Sequence, residues 1–164
     1  MDWQIPLLVS AIAFAAFIVF KMARPAISPD GRETAAALKE AKARIDAAKT
    51  DHDKAVALAD AAEACARLGR TNGAVKFYLR ALHADPKAKD IVERAATSLA
   101  KRPRAIERLM WRHLASAPWT GENREAALAA LRALAAAYGR RPKQPRARAL
   151  QHAIAALESG AARV

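Results

Sequence analysis

The residues that most often support catalysis or metal binding are spread thinly along this chain. Its four histidines, His52, His83, His113 and His152, lie in separate segments with no cysteine or second histidine at metal-ligand spacing. The single cysteine, Cys65, has no partner for an intramolecular disulfide and no neighbour in the sequence that would lower its pKa. The sequence has neither a glycine-rich phosphate loop nor a nucleophile elbow. We therefore predict a protein that is not an enzyme and has no metal or cofactor site.

Positive charge is the second chemical feature. The net charge of +12, from 28 basic and 16 acidic residues, raises affinity for any polyanion. Basic residues concentrate in two clusters, over 101–112 and 140–148, which could contact anionic lipid headgroups or remain solvated. RNA ranks last as a partner, because Trp111 alone supplies an aromatic ring for base stacking. The predicted contacts to an anionic surface are Arg102, Arg104, Arg108, Arg112, Arg141, Lys143, Arg146 and Arg148.

The composition predicts an all-α chain that would position these residues. Alanine supplies 45 of the 164 residues and, with leucine, lysine, arginine and glutamate, makes a set of strong helix formers. The β-branched and aromatic residues that favour strands are sparse. Because alanine interiors offer little apolar area per residue, the helices must approach closely, as antiparallel helix pairs do. We expect one folded unit in addition to any membrane segment.

An apolar run near the start of the chain predicts a transmembrane anchor over residues 1–22. Residues 5–20 carry no charge, and Lys21 and Arg24 follow them. At about 1.5 Å per residue the run is shorter than a hydrocarbon core of roughly 30 Å, so its flanks must complete the span. A cleaved secretory signal is the rival interpretation, but it needs basic residues before the run. The basic flank predicts an external N-terminus and a cytoplasmic domain, as in a bacterial inner-membrane protein.

Proline and glycine divide the rest of the chain. The stretch at 23–31 predicts a linker, and apolar residues at helical spacing over 32–50 predict an amphipathic capping helix. Over 53–158 we expect six helices of about 12 to 18 residues, and a disordered tail at 159–164. The turns between the helices are predicted at 68–73, 85–90, 101–104, 116–123 and 139–145.

One helix pair contains a repeat motif, in the segment ARLGRTNGAVKFYLRALHADP. Its residues are Gly69 at the turn, Ala74 and Ala81 at close helix contacts, Tyr78 between them and Pro86 at the end, preceded by Leu58, Ala62 and Cys65 on the first helix. In this order the segment resembles the tetratricopeptide repeat family. Two weaker copies follow, the second with Arg112 where a small residue is expected, the third with Tyr138 on its first helix. The resemblance implies an α-solenoid of about three helix-turn-helix repeats.

By this resemblance, the first helices of the repeats line a shallow concave groove of mixed charge. Such grooves bind extended peptides or single helices. Solvated helix faces without a ligand are the alternative. The implied partner-binding residues are Val56, Ala59, Glu63, Arg67, Asp90, Glu93, Thr97, Lys101, Arg132 and Arg140.

These features lead to one main functional hypothesis and two alternatives. The first is a membrane-tethered scaffold that recruits another protein to the cytoplasmic face of a membrane. The second is a structural accessory subunit of a membrane protein complex, which packs through its transmembrane helix. The third is a basic RNA-binding module. The sequence does not identify the partner.

Overall fold

The computed structural model describes residues 13–14, 29–139 and 145–160. The chain divides into two units, Met1–Glu33 and Thr34–Val164. In the first unit, Ala13 and Phe14 are helical and exposed, and residues 29–33 begin a longer helix. All interactions discussed below lie within the second unit.

Helices account for the folded elements throughout the described ranges, so the all-α prediction is confirmed. A short 3-10 turn, Gly121–Asn123, precedes the sixth helix. The α-helices are α1 (Pro29–Ala47), α2 (Asp51–Arg67), α3 (Thr71–Ala84), α4 (Lys89–Ser98), α5 (Pro103–Ser116), α6 (Arg124–Gly139) and α7 (Pro145–Gly160).

Most helix ends fall at the predicted turns because these turns contain the residues that stop helices. After α2, Gly69 adopts a left-handed φ of 74°. The amide of Arg70 donates to the carbonyl of Cys65 over 2.8 Å, and the amide of Gly69 donates to that of Ala66 over 3.0 Å. This is the hydrogen-bond pattern of a Schellman motif, in which glycine avoids the penalty of a Cβ atom. The turn returns the chain directly into α3.

Several boundaries differ from the sequence prediction, among them the end of α4 at Ser98, before the turn predicted at 101–104. Helix α1 begins at Pro29, inside the stretch predicted as a linker. Proline is tolerated in the first helical turn because its missing N–H has no intrahelical acceptor there. At the other end, α7 continues to Gly160, into the predicted disordered tail, while residues 161–164 lie outside the described part of the chain.

Close contacts between alanine-rich faces build the core. Helices α2 and α3 form a tight hairpin, α4 packs beside α2, α5 packs beside α3, and α6 contacts α4, α5 and α7. Ala74 and Ala81 of α3 are fully buried, as is the ring of Tyr78 between them. Because a methyl group lets two backbones approach closely, alanine at these positions permits dense packing with few large side chains. Leucines of α2, α5 and α6 fill the remaining interior.

The prediction of a membrane span is corrected by the structure. Among the residues it describes, no helix combines the length and the apolar character needed to cross a bilayer. The run at 5–20, on which the prediction was based, lies outside these residues except for Ala13 and Phe14. The localisation as a single-pass membrane protein with a cytoplasmic repeat domain is therefore not supported.

Candidate functional site

An open groove of about 530 Å³ runs between α2 and α4. It forms because residues three and four apart on each helix project to the same side, and the two helices lie next to each other. The lining residues combine small and charged side chains. They are Glu63, Ala66 and Arg67 from α2, and Asp90, Glu93, Arg94, Thr97 and Ser98 from α4.

Arg94 joins the two walls of this groove. Its Nε donates to Glu63 Oε1 over 2.7 Å, and its Nη2 donates to Asp60 on the same helix as Glu63. The side chains of all three residues are less than one-third exposed, at 25–29%. Hydrogen bonds to Glu63, followed by those to Asp60, raise the pKa of Arg94, so the guanidinium stays charged. The ion pairs therefore hold α4 against α2 along the groove.

The network extends to α1 through Asp60. Arg44 Nη1 lies 2.9 Å from Asp60 Oδ2, so this carboxylate accepts from one arginine on α1 and from Arg94 on α4. Charge-assisted hydrogen bonds of this kind are stronger than neutral ones when they are partly removed from water. The carboxylate of Asp60 thus links three helices, α1, α2 and α4.

A hydrogen bond behind the groove fixes its α4 wall against α3. Tyr78 is fully buried, and its hydroxyl lies 2.8 Å from the Oγ atom of Ser98, a residue that lines the groove. Burial of the phenol raises the pKa of Tyr78 to about 12, because the charged form would lose its hydration. Tyr78 is therefore neutral under ordinary conditions and can donate to or accept from Ser98.

The remaining charges of the groove are accessible from solvent. Arg67, Asp90 and Glu93 are exposed, as is Thr97. Lys89 Nζ approaches Glu93 at 3.9 Å and Glu125 of α6 at 3.7 Å, which is a loose and solvated arrangement. Exposed pairs of this kind contribute little to stability. These side chains are consequently available to a ligand at little cost to the fold.

The structure brings five of the ten predicted groove residues together, namely Glu63, Arg67, Asp90, Glu93 and Thr97. Val56 lines a separate depression beside α1, and Ala59 is fully buried. Ala59 is therefore a core residue, because its short methyl group lets neighbouring helices close over it. Lys101 is exposed in the turn after α4, Arg132 pairs with Glu158 at 2.6 Å, and Arg140 lies outside the described residues.

Three residues that sequence reasoning missed are important to the groove: Asp60, Arg94 and Ser98. Their partners lie on other helices, and Arg94 is 31 residues from Glu63 and 34 from Asp60. Spacing along one helix cannot identify such pairs. The only available signal was that Arg94 directly follows Glu93 on a helix whose acidic face was already predicted to line the groove.

The predicted basic clusters occupy several places. Arg102, Arg104, Arg108 and Arg112 are exposed on or just before α5, and Arg146 and Arg148 are exposed on α7. Arg112 borders a depression of about 640 Å³ between the C-terminal halves of α3 and α5. Arg141 and Lys143 lie outside the described residues.

The predicted packing residues lie mostly in the interior. Leu58, Ala62, Cys65, Ala74, Tyr78, Ala81 and Tyr138 are buried. Burial raises the pKa of the Cys65 thiol, which is the opposite of what a nucleophilic thiolate requires. Gly69 occupies the left-handed turn position, and Pro86 is half-buried after α3. Tyr138 donates to Glu107 Oε1 over 2.5 Å and accepts from Trp111 Nε1 over 3.3 Å, which links α6 to α5.

Two histidines have distinctive environments. His52 Nδ1 lies 2.8 Å from Asp85 Oδ2, an aspartate that is only 7% exposed, while His113 is 3% exposed and its Nδ1 has no hydrogen-bond partner. Within 29–139 and 145–160, no three histidine, cysteine or acidic side chains come together as a metal ion would require.

No family model, curated protein or solved structure matches this chain. The geometry of the groove is therefore the basis on which a function can be inferred.

Proposed function

We propose that this chain is a protein-interaction module of the tetratricopeptide type, which binds an extended segment of a partner protein in the groove between α2 and α4. The observation on which this proposal depends is that the groove contains two sets of charged residues, one paired between the helices and one exposed to solvent. Arg94, Glu63 and Asp60 hold the walls together, while Arg67, Asp90 and Glu93 remain accessible. Such a groove is formed before the ligand arrives, so little ordering cost is added on binding.

The shape of the groove suits a peptide. Ala66 lies between the charged residues and presents only a methyl group, which lets a peptide backbone approach α2 closely. A volume of about 530 Å³ is in the range of sites that take a few side chains. Charged residues at the edges would then fix the register of the bound segment.

The accessible charges favour a partner segment with a basic side chain. Asp90 and Glu93 both belong to α4 and lie three residues apart, hence on one face. Arg67 on the opposite wall would pair with an acidic group of the same segment. We therefore expect a ligand that carries charges of both signs, with a lysine or arginine against α4.

Part of the helix arrangement supports the comparison with tetratricopeptide repeats. In that family each repeat is a packed helix pair, and α2/α3 and α6/α7 pack in this way, whereas α4 and α5 make few direct contacts, so the middle repeat departs from the pattern. Contacts of α4 with α2 and with α6 are those expected between first helices of adjacent repeats. A binding surface made by first helices is the common use of such an array.

Selection from a random peptide library displayed on phage, with the full chain as bait, tests the proposal. The selected peptides should bind the unchanged protein and lose at least about tenfold in affinity for a Glu93→Lys, Thr97→Arg double variant, because the first change reverses a charge and the second adds charge and bulk inside the groove. Circular dichroism would verify that the variant is folded.

Glu40→Lys with Ala36→Arg is the matched control. These exposed α1 residues have the same four-residue spacing, and the substitutions change the net charge by the same amount. Peptides that bind the control variant normally and the groove variant weakly would support the proposal. Equal binding to both variants would reject the groove as the binding surface.

A further inference from the structure

A second cavity, of about 440 Å³, lies between the first turns of α3 and α5 and shares no lining residue with the groove. Three of its lining residues are arginines: Arg102, Arg104 and Arg108. The other lining residues are neutral, so no carboxylate offsets these charges within the cavity. This concentration of positive charge is the feature that needs a chemical explanation.

The fold brings these three arginines, which are exposed to solvent, to the lining of one cavity. Arg102 Nη1 donates to the carbonyl oxygen of Gly69 over 3.2 Å, which ties this side chain to the turn before α3 and leaves its other N–H groups free to donate. Arg104 and Arg108 are four residues apart on α5, so they project to the same side of the helix. Like charges at this spacing repel each other.

The ion pairs found among the described residues do not include Arg104 or Arg108. Arg44, Arg94 and Arg132 each pair with a carboxylate at 2.9 Å or less, whereas Arg104 and Arg108, like Arg67, Arg80 and Arg148, form no such pair within the described part of the chain; what distinguishes Arg104 and Arg108 is that they line one cavity together with Arg102. An anion in the cavity would relieve the repulsion that the fold itself leaves uncompensated.

The backbone adds to the positive potential of the arginines. Thr71 and Asn72 begin α3, Pro103 begins α5, and neither helix has a side-chain cap or an acidic residue in its first turn. By contrast, Thr50 caps α2, whose first turn contains two aspartates. Uncapped N–H groups at a helix start carry partial positive charge. The start of α3 therefore adds positive potential to the cavity, whereas the start of α5 adds less, because Pro103 has no N–H and the amide of Ala105 donates to the carbonyl oxygen of Arg102 over 2.9 Å.

We propose that this cavity binds the phosphate group of a phosphate monoester. Guanidinium groups pair with phosphate oxygens through two parallel hydrogen bonds, and a dianion can satisfy more than one arginine. The volume leaves room for a small organic group beside the phosphate. The phosphate could belong to a free metabolite or to a phosphorylated side chain of a partner protein, and both offer the same chemistry to the arginines.

Isothermal titration calorimetry on the full chain with three probes tests this assignment: inorganic phosphate, glycerol 3-phosphate and a blocked phosphoserine peptide. At least one monoester should bind with a Kd below about 1 mM. The Arg104→Ala, Arg108→Ala double variant should weaken that binding by about tenfold or more, because each charge-assisted hydrogen bond is worth about that factor. Tighter binding of glycerol 3-phosphate points to a metabolite, and tighter binding of the peptide to a phosphorylated partner.

Arg146→Ala with Arg148→Ala is the matched control, since it removes the same two charges from exposed positions on α7. This variant should bind the monoester as the unchanged protein does. Three results would overturn the proposal: no binding of any probe, an equal loss in both double variants, or binding of a single-stranded RNA oligomer without binding of a monoester. The groove variant Glu93→Lys, Thr97→Arg should retain phosphate binding, so this test is independent of the proposed peptide site.

Discussion

Arg94 Nε of α4 donates to Glu63 Oε1 of α2 over 2.7 Å, and this contact joins the two walls of the candidate groove. The arginine also reaches Asp60, which in turn pairs with Arg44 of α1. Arg94 thereby adds a polar link to the apolar packing between the helices that would hold a partner segment. The stability of the fold and the shape of the proposed binding surface depend on the same side chain.

Replacement of Arg94 by methionine should destabilise the protein by about 1 to 3 kcal/mol. Methionine keeps the apolar stem, but it leaves the half-buried Glu63 without its ion-pair partner and Asp60 with only Arg44. Urea denaturation measures the change. Arg132→Met is the control, because Arg132 and Glu158 are about half exposed, at 54% and 47%. That change should cost no more than about 0.5 kcal/mol, and equal costs for both variants would contradict a special role for Arg94.

Replacement of His113 by leucine should stabilise the protein by about 1 kcal/mol, because it removes a buried Nδ1 that has no partner. Burial lowers the pKa of His113 below its ordinary value of 6.5, so the unfolded chain takes up a proton more readily than the folded one. Acidification below about pH 6.5 should therefore destabilise the natural protein more than the leucine variant. Urea midpoints at about pH 7.5 and 5.5 would show this difference. A leucine variant with lower stability at both pH values would refute the argument.

The pKa of His52 should be shifted in the opposite direction to that of His113. Its hydrogen bond to Asp85 raises the pKa of the imidazole above 6.5, so protonation stabilises the folded state. This contribution is fully present below about pH 6.5 and disappears as the pH rises through the folded pKa. Proton NMR of the imidazole should give a pKa above 6.5 for His52 in the natural protein and a lower value in the Asp85→Asn variant. An unchanged pKa would exclude the Asp85 contact as the cause.

The sequence predicted the helices of this fold better than the contacts between them. Within the described residues 51–139 and 145–160, six α-helices lie between the places where glycine and proline interrupt the helical pattern, since Gly69 and Pro103 affect only the local backbone. Five of the ten predicted groove residues line the groove, because residues at helical spacing on α2 or on α4 share a face of that helix regardless of which helix packs against it. Ala59 was misplaced because spacing alone does not reveal which small side chains a neighbouring helix covers.

The clusters of charge show the same limit. The arginines at 102, 104 and 108 are visible in the sequence, but the cavity depends on the approach of α5 to the start of α3. Likewise, the contact of Tyr78 with Ser98 crosses from α3 to α4. Contacts between helices depend on how the helices pack, and the residue spacing within one helix does not specify that packing.

The most direct test of the account is an NMR titration of the isotope-labelled full chain with a library-selected peptide. Backbone amide shifts should concentrate at 63–67 on α2 and at 90–98 on α4, and they should vanish in the Glu93→Lys, Thr97→Arg variant. Shifts confined to α3 and α5, with the groove amides unchanged, would contradict the assignment of the groove as the protein-binding surface.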